Sequence, residues 1–304
     1  GPRPVAGLFQ SLNNFLATFV AIVHTRLELL TTELQEEVRQ VGAILLWAFI
    51  AAFAAMMGLF LVALAVIWEI YARFLANELL FPTFLATIDA LWEGVSSGEL
   101  LSRIAVSLKV LLTGYSIGIV LAALLATTAI TTRIGTDLLE TLTSMFNPLP
   151  AIALLPLALI WFGLGTGSIV FVLVHSVLWA VALNTHSGFL SVSATMRMVG
   201  RNYGLSGFRY VGKILIPAAF PSILAGLKIG WAFAWRTLIA AELVFGVSSG
   251  SGGLGWFIYE NKNQLEIAAV FAGLFAVIAI GFVIENVVFA SLERVTVRRW
   301  GMQH

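Results

Sequence analysis

Six ionisable side chains are predicted to lie at membrane depth inside the long apolar segments of this 304-residue chain: Lys109, His175, Lys228, Arg236, Glu242 and Glu285. The candidate path residues among them are His175, Lys228, Arg236 and Glu242. Ionisable residues at membrane depth are costly and usually face a cavity or the interior of a helix bundle. Lys228 and Arg236 are eight residues apart, which is about 80° around a helix, so they can share a face. No Asp or Glu occurs between Glu140 and Glu242. The pattern therefore favours a path for a small anion.

A structural role is the alternative for the same residues. Arg236 and Glu242 could hold a bundle together by pairing with other helices, since a separation of six residues is off the i,i+4 register of a pair within one helix. His175 could be a hydrogen-bonded core residue rather than a proton relay. The tryptophans of these segments are predicted to be packing or interface residues rather than a substrate cage: Trp161, Trp179, Trp231 and Trp235. No cluster has metal-ligand spacing, and the chain has no Cys.

A second candidate site is the stretch "SVSATMRMVGRNYGLSGFRYVGKILIP" at residues 191–217, which is basic and contains no acid. Its basic residues are Arg197, Arg201, Arg209 and Lys213. Its turns are allowed by Gly200, Gly204, Gly207 and Gly212. Pro217 is suited to begin the following helix. We therefore expect a short helix lying across one face of the protein, with its basic side chains directed to water or to a partner's groove.

The composition shows which elements must position these residues. Sixty per cent of the chain is hydrophobic and 11% is charged, whereas a soluble domain has about 25% charged residues. A bilayer accommodates so much apolar surface when the backbone satisfies its own hydrogen bonds in helices or a closed barrel. The apolar runs are long and do not alternate, unlike barrel strands. An all-α polytopic membrane protein is predicted.

Six transmembrane helices are expected from the apolar runs, because a span needs about 20 apolar residues. Their predicted bounds are 43–67, 104–130, 146–163, 168–186, 214–246 and 266–290. Lys and Arg collect on the cytoplasmic side. With both termini inside, eleven of them fall on cytoplasmic segments and three, Arg73, Arg103 and Lys262, fall outside. Residues 69–103 then form an outer interfacial segment, and residues 294–304 form a cytoplasmic tail.

The N-terminal residues 1–40 place apolar side chains at helical spacing on one face and charges on the other. They predict an amphipathic helix along the membrane surface or against a partner, followed by the first span at 41–68. The stretch "TRLELLTTELQEE" before a span resembles the small YqjE-like, holin-related membrane proteins over about residues 8–67. This resemblance implies no chemistry, and an anchoring or stabilising role is expected.

The 191–217 stretch resembles the cytoplasmic signature loop of ABC importer permeases, which reads Glu-Ala-Ala, three residues, Gly, nine residues, Ile, one residue, Leu-Pro. Gly204, Ile214 and Pro217 hold their places. Residues 198–200 replace Glu-Ala-Ala, and Ile216 replaces Leu. The resemblance implies a coupling helix that docks in a groove of an ATPase subunit and transmits its closure. The implied coupling residues are Arg197, Met198, Gly200, Arg201, Gly204, Arg209, Ile214 and Pro217.

Other stretches resemble the nitrate/sulfonate/taurine-type branch of these permeases. "NPLPAIALLPLALIWFGLGTGS" at 147–168 has its Pro-x-Pro and Trp-Phe-Gly-x-Gly elements, and "AWRTLIAAELVFGVSSGSGGLGWFI" at 234–258 has its Ala-Glu and Gly-Leu-Gly elements. With "SGELLSRIAVSLKVLLTGY" at 97–115, the likeness runs from about residue 68 to the C-terminus. It implies the type I importer permease fold, with a permease core at 104–293 that contains the coupling loop at 187–213.

The resemblance also implies partners. No Gly-x-x-x-x-Gly-Lys-Ser/Thr phosphate loop occurs in the chain, so energy must come from another polypeptide. We expect a non-enzymatic permease in the bacterial inner membrane with no cofactor of its own, beside ATPase subunits that bind ATP and Mg. Its other expected partners are a second permease copy, in a homodimer, a periplasmic or lipid-anchored solute-binding protein and membrane lipid, but no nucleic acid. The expected solute is a small anion of the nitrate, sulfonate, taurine or organic acid class.

Two other functions remain open from the sequence. An ion-driven secondary transporter could use Glu242, Glu285 and His175 as proton carriers and would need no cytoplasmic partner. A non-transporting membrane scaffold is suggested by the N-terminal helix alone. Transport that depends on added ATPase subunits would distinguish an importer permease from a secondary transporter and from a scaffold.

Overall fold

The computed structural model describes residues 5–245 and 252–298, and these residues form helices and connecting turns without a β-strand. The α-helices are α1 (Val5–Leu75), α2 (Phe84–Ser96), α3 (Glu99–Thr131), α4 (Arg133–Phe146), α5 (Leu155–Phe162), α6 (Thr166–Ser191), α7 (Ala194–Asn202), α8 (Gly207–Tyr210), α9 (Ile216–Ala218), α10 (Phe220–Phe245), α11 (Leu254–Asn263), α12 (Ile267–Val283) and α13 (Ala290–Glu293). A 3₁₀ turn covers Ala151–Leu154, and π-helical turns cover Val211–Leu215, Ile284–Phe289 and Arg294–Arg298. The all-α prediction is confirmed.

The chain divides into two compact units, Gly1–Trp68 and Glu69–His304. The separate helices predicted at 1–40 and 41–68 are instead parts of the single helix α1. Residues 35–41 contain no Pro or Gly, so nothing in the sequence interrupts the helix there. From Leu34 to Leu75 this helix is long and apolar enough to span a membrane. Most side chains of residues 5–33 lie outside the described part, so their amphipathic arrangement stays a prediction.

Four further helical segments of the second unit have the length and composition of membrane spans: Glu99–Thr131, Thr166–Ser191, Phe220–Val244 and Ile267–Val297. The span predicted at 146–163 is not one straight helix. Instead, α4 and the segment Ala151–Phe162 meet at a bend of 87° and make a sixth span if they are counted together. Pro148 and Pro150 explain the break, because they lack the backbone N–H that would continue α4.

Helices α3, α6 and α10 pack closely because glycines face larger side chains. A Cβ atom at Gly114 of α3 would lie 2.6 Å from the Leu173 Cβ of α6, and one at Gly118 would lie 2.7 Å from the Val177 Cβ. Gly226 of α10 faces Asn184 of α6 at a comparable distance. Small residues at such contacts let helix backbones approach closely in membranes. This three-helix core is the frame on which the candidate site is built.

Candidate functional site

A cavity of about 360 Å³ lies where the bend between α4 and α5 meets α6 and α10. Residues 147–152 form one wall, α6 contributes His175, Ser176 and Trp179, and α10 contributes Phe233, Arg236, Thr237 and Ala240. A hydrogen bond of 3.0 Å from the Ser176 hydroxyl to the Thr237 hydroxyl joins the two helices at the wall. The bend that the prolines impose therefore opens the space, and the α6–α10 contact closes it from the other side.

Arg236 supplies the single cationic side chain of this cavity wall among the described residues. Its Nε donates to the Ala232 carbonyl at 3.0 Å, and its guanidinium carbon lies 5.2 Å from the centroid of the Phe233 ring. No Asp or Glu in the described part of the chain forms an ion pair with it. Because a guanidinium keeps its charge in proteins, the cavity has positive charge that no acid of the wall offsets.

His175 and Trp179 stand next to Arg236 in the wall. They are one turn apart on α6, their rings meet edge to face at 6.0 Å, and Phe146 stacks on Trp179 at 5.9 Å. Both ring nitrogens of His175 and the Nε1 of Trp179 are buried without a hydrogen-bond partner in the described structure. The Phe146 carbonyl approaches His175 without the geometry of a hydrogen bond. The sequence favoured a packing or interface role for Trp179 over a part in a substrate cage, although its spacing from His175 could have pointed to a shared face.

The other two predicted path residues lie outside the cavity wall. The Nζ of Lys228 forms an ion pair of 2.6 Å with Glu293 of α13, so Lys228 and Arg236 do not form one cationic stripe along the cavity. Glu242 is 3% exposed and contacts α3 and α11 instead. Within the described residues no group of His, Asp or Glu side chains could hold a metal ion.

Glu242 is the centre of a buried hydrogen-bond network. The Ser107 hydroxyl of α3 lies 3.0 and 2.9 Å from its two carboxylate oxygens, and the Gly255 N–H of α11 donates to it at 2.8 Å. Ser107 in turn accepts a hydrogen bond of 2.8 Å from the Leu254 N–H. Three helices are therefore joined at one carboxylate, and its partners there are a hydroxyl and a backbone amide rather than a cation.

The glycines of the Gly-Leu-Gly element are required by this network. A Cβ atom at Gly255 would lie 2.6 Å from the Glu242 Cβ and 2.8 Å from the Ile239 carbonyl oxygen, and one at Gly253 would overlap the Glu242 carboxylate. Arg103 adds a second link from α3, since it donates to Glu260 at 3.0 Å and to the Gly252 carbonyl at 3.3 Å. The Ala-Glu and Gly-Leu-Gly elements are thus parts of one clamp, although residues 246–251 between them lie outside the described structure.

The basic stretch after α6 contains the short helix that the sequence predicts. Ser193 is the N-cap of α7, and its hydroxyl accepts from the Met196 N–H at 3.4 Å. The chain then reverses through Gly204 at φ 68° and Gly207 at φ 54°, left-handed conformations that favour glycine. Gly200 has another role, because a Cβ there would lie 2.7 Å from the Tyr210 ring. The predicted turn positions are confirmed at Gly204 and Gly207.

Arg197 does not face water as predicted. Its guanidinium donates to the Phe189, Leu190 and Val192 carbonyls at 2.7, 3.1 and 3.0 Å, so it satisfies the carbonyl groups left unpaired at the C-terminal end of α6. The same stretch also carries exposed basic and large apolar side chains. We call Met198, Arg201, Tyr203, Phe208 and Arg209 the loop surface; Tyr203 is 80% exposed and Phe208 is 72% exposed. Large apolar side chains beside arginines are typical of protein interfaces.

Comparison with known proteins gives consistent matches. The family model for the "binding-protein-dependent transport system inner membrane component" matches residues 114–300. An ABC transporter permease protein of Methanocaldococcus jannaschii is 31% identical over 73% of this chain and 83% of that protein. The aliphatic sulfonates transport permease protein SsuC of Escherichia coli is 28% identical over 78% of this chain and 89% of that protein. A crystal structure of an amino acid ABC transporter with histidines has a TM-score of 0.49 and 19% identity over 69% of this chain and 98% of that one.

Proposed function

Because the chain belongs to the family of binding-protein-dependent transport system inner membrane components, we propose that it is the permease of an ATP-driven importer and that the cavity beside Arg236 is part of its path for a small anion. The observation that carries the proposal is that the family match at 114–300 includes both the cavity wall and the loop surface. A relative named for the transport of aliphatic sulfonates supports an anionic solute. One chain thus has the two parts that such a subunit needs, a path and a coupling contact.

In this proposal the loop surface docks on the ATPase subunit. Its apolar side chains fill the partner's groove, and Arg201 and Arg209 contact acidic groups at the rim. ATP and Mg are bound by that subunit, and the solute arrives on a binding protein at the other side of the membrane. A second copy of this chain completes the path, and both termini are cytoplasmic. Lipid surrounds the apolar side chains of Leu34–Leu75. The most apolar window of this segment has no residue that is buried within the structure.

Site-directed cross-linking tests this docking directly, because the chain contains no native Cys. Tyr203→Cys places a thiol on the loop surface, and Lys262→Cys places one at an exposed position on α11, on the side predicted to be outside. The assembled complex is treated with a short maleimide–benzophenone reagent. We expect Tyr203→Cys to cross-link to the ATPase subunit and Lys262→Cys to give no cross-link to it. Cross-links to the ATPase from Lys262→Cys alone would reverse the proposed orientation.

Arg236→Gln should weaken anion transport without dismantling the complex. Glutamine keeps much of the side-chain length but removes the charge, and a hydrogen bond to a charged group contributes about 1.5–3 kcal/mol, or roughly ten- to a hundredfold in affinity. The measurement is uptake by the reconstituted complex with its binding protein over a range of solute concentrations. Lys109→Gln is the matched control, since Lys109 is an exposed cation of α3 outside the cavity wall. Equal uptake by both variants would make Arg236 a structural residue.

Deletion of residues 3–38 should lower the yield of assembled complex more than the turnover of each complex that assembles. The segment lies outside the family match and precedes nearly all of the Leu34–Leu75 span, so it contributes to neither the cavity nor the loop surface. Turnover per purified complex is measured beside expression yield. Normal assembly with abolished transport would instead assign this segment a part in the transport cycle.

A further inference from the structure

The side chains of the cavity wall narrow the class of solute, on the premise that the proposed function is correct. We propose that this cavity selects an organic monoanion, an oxyanion headgroup on an apolar body, and that it discriminates against zwitterions. The relatives and the branch resemblance leave sulfonates, taurine and nitrate as equal candidates. The charge and polarity of this wall distinguish them.

The charge of the wall favours binding of a monoanion over binding of a zwitterion. Arg236 can neutralise one oxyanion through a planar fork of donors. Arg236 itself is exposed, and no Asp or Glu lines the cavity among the described residues, so a solute ammonium group would lose part of its hydration there without gaining a charged partner. Burial of an unpaired charge is strongly unfavourable. A zwitterion therefore gains the same contact with Arg236 as a monoanion and loses the solvation of its second charge.

The remainder of the wall suits an apolar body. Residues 148–152, with the sequence Pro-Leu-Pro-Ala-Ile, stand on one side, and Phe233 and Ala240 of α10 stand on the other. Asn147, Ser176 and Thr237 are the neutral polar members of the wall. Each methylene group buried against such a surface raises affinity about fourfold. A cavity of about 360 Å³ has room for several heavy atoms beyond a headgroup. A small inorganic anion would leave this apolar surface without contact.

Unpaired polar atoms of two other wall residues favour an oxyanion headgroup further. The Nε1 of Trp179 and the ring nitrogens of His175 have no hydrogen-bond partner among the residues that the structure describes, and a buried polar group without a partner is costly. These atoms are covered in the structure, so a rotation of either side chain is needed for them to reach a ligand. Trp231 provides the comparison, because its Nε1 is also buried and unpaired but its side chain lies outside the cavity wall.

Propane-1-sulfonate and taurine make a matched pair of probes, since they differ only in a terminal methyl group in place of an ammonium group. Equilibrium binding of radiolabelled probes is measured on the complex of this chain with its ATPase subunits in nanodiscs, without the binding protein, so that the permease alone sets the preference. We expect propane-1-sulfonate to bind at least about tenfold more tightly than taurine and about 16-fold more tightly than methanesulfonate, which lacks two methylene groups.

Trp179→Phe should weaken propane-1-sulfonate binding about tenfold, because it removes the N–H and keeps an aromatic ring. Trp231→Phe should leave the binding unchanged. Equal binding of taurine and propane-1-sulfonate, binding of neither, or equal effects of the two Trp variants would overturn the proposal. With any of these results, a cross-link from Tyr203→Cys to the ATPase subunit would still support the proposed function. Failure of the solute preference can therefore be distinguished from failure of the proposed function.

Discussion

Glu242→Leu is expected to lower the free energy of unfolding by about 2–5 kcal/mol. The substitution leaves the Ser107 hydroxyl and the Gly255 N–H without the acceptor that they share, and each buried donor left unpaired costs about 1–3 kcal/mol. For a chain of this size the midpoint of thermal unfolding in detergent should fall by about 10 °C. The loss is large because the carboxylate joins α3, α10 and α11 at one point.

Glu285→Leu is the control for that experiment. Glu285 follows α12 and is exposed, so its replacement removes the same charge without leaving a buried donor unpaired. Ser107→Ala should reproduce part of the effect of Glu242→Leu, because it leaves the Leu254 N–H without its acceptor. If Glu242→Leu and Glu285→Leu unfolded at the same temperature, the clamp would contribute nothing measurable to stability.

Gly204→Val is expected to uncouple ATP hydrolysis from transport. Gly204 has φ 68°, and a β-branched residue held in that region costs about 1–3 kcal/mol. A Cβ atom there would meet no atom within 4 Å, so the effect comes from the backbone and not from a clash. A cost of this size lowers the population of the observed loop conformation about five- to a hundredfold. The measurement is hydrolysis by the reconstituted complex with and without the loaded binding protein, beside uptake.

Gly212→Val provides the matched comparison. Gly212 also has open space around its Cβ position, but it lies in the π-helical turn Val211–Leu215 and lacks a positive φ. Its substitution should leave the stimulation of hydrolysis by the loaded binding protein nearly intact. Intact stimulation and uptake in Gly204→Val would show that the reversal at this glycine is not needed for coupling.

The spacing of residues along the sequence predicted the features that depend on neighbouring residues alone. The apolar runs identified the spans, and glycine spacing identified the reversals at Gly204 and Gly207. Pro148 and Pro150 were the local signal for the 87° bend. A single span was nevertheless predicted at 146–163, because the long apolar run was given more weight than the two prolines. The boundary drawn at residue 40 between two helices falls inside the single helix α1, since a change from polar to apolar composition does not itself end a helix.

Partners distant in the chain could not be predicted in this way. Ser107 and Glu242 are 135 residues apart, and Lys228 and Glu293 are 65 residues apart, so only the packing of the helices brings each pair together. The contacts of Arg197 were not predicted for another reason, because its basic charge suggested water or a partner's groove, whereas three carbonyls at the end of α6 accept hydrogen bonds from it. These errors concern the contacts of side chains, whereas the membrane class and the family follow from composition and spacing.

Uptake in proteoliposomes tests most directly whether this chain is an ATP-driven permease. The complete complex is reconstituted with ATP inside and the loaded binding protein outside, and solute accumulation is followed with and without an imposed proton gradient. We predict uptake that requires ATP hydrolysis and the ATPase subunits and that is indifferent to the gradient. Uptake by this chain alone, driven by the gradient in the absence of any ATPase subunit, would contradict the proposed function and establish a secondary transporter.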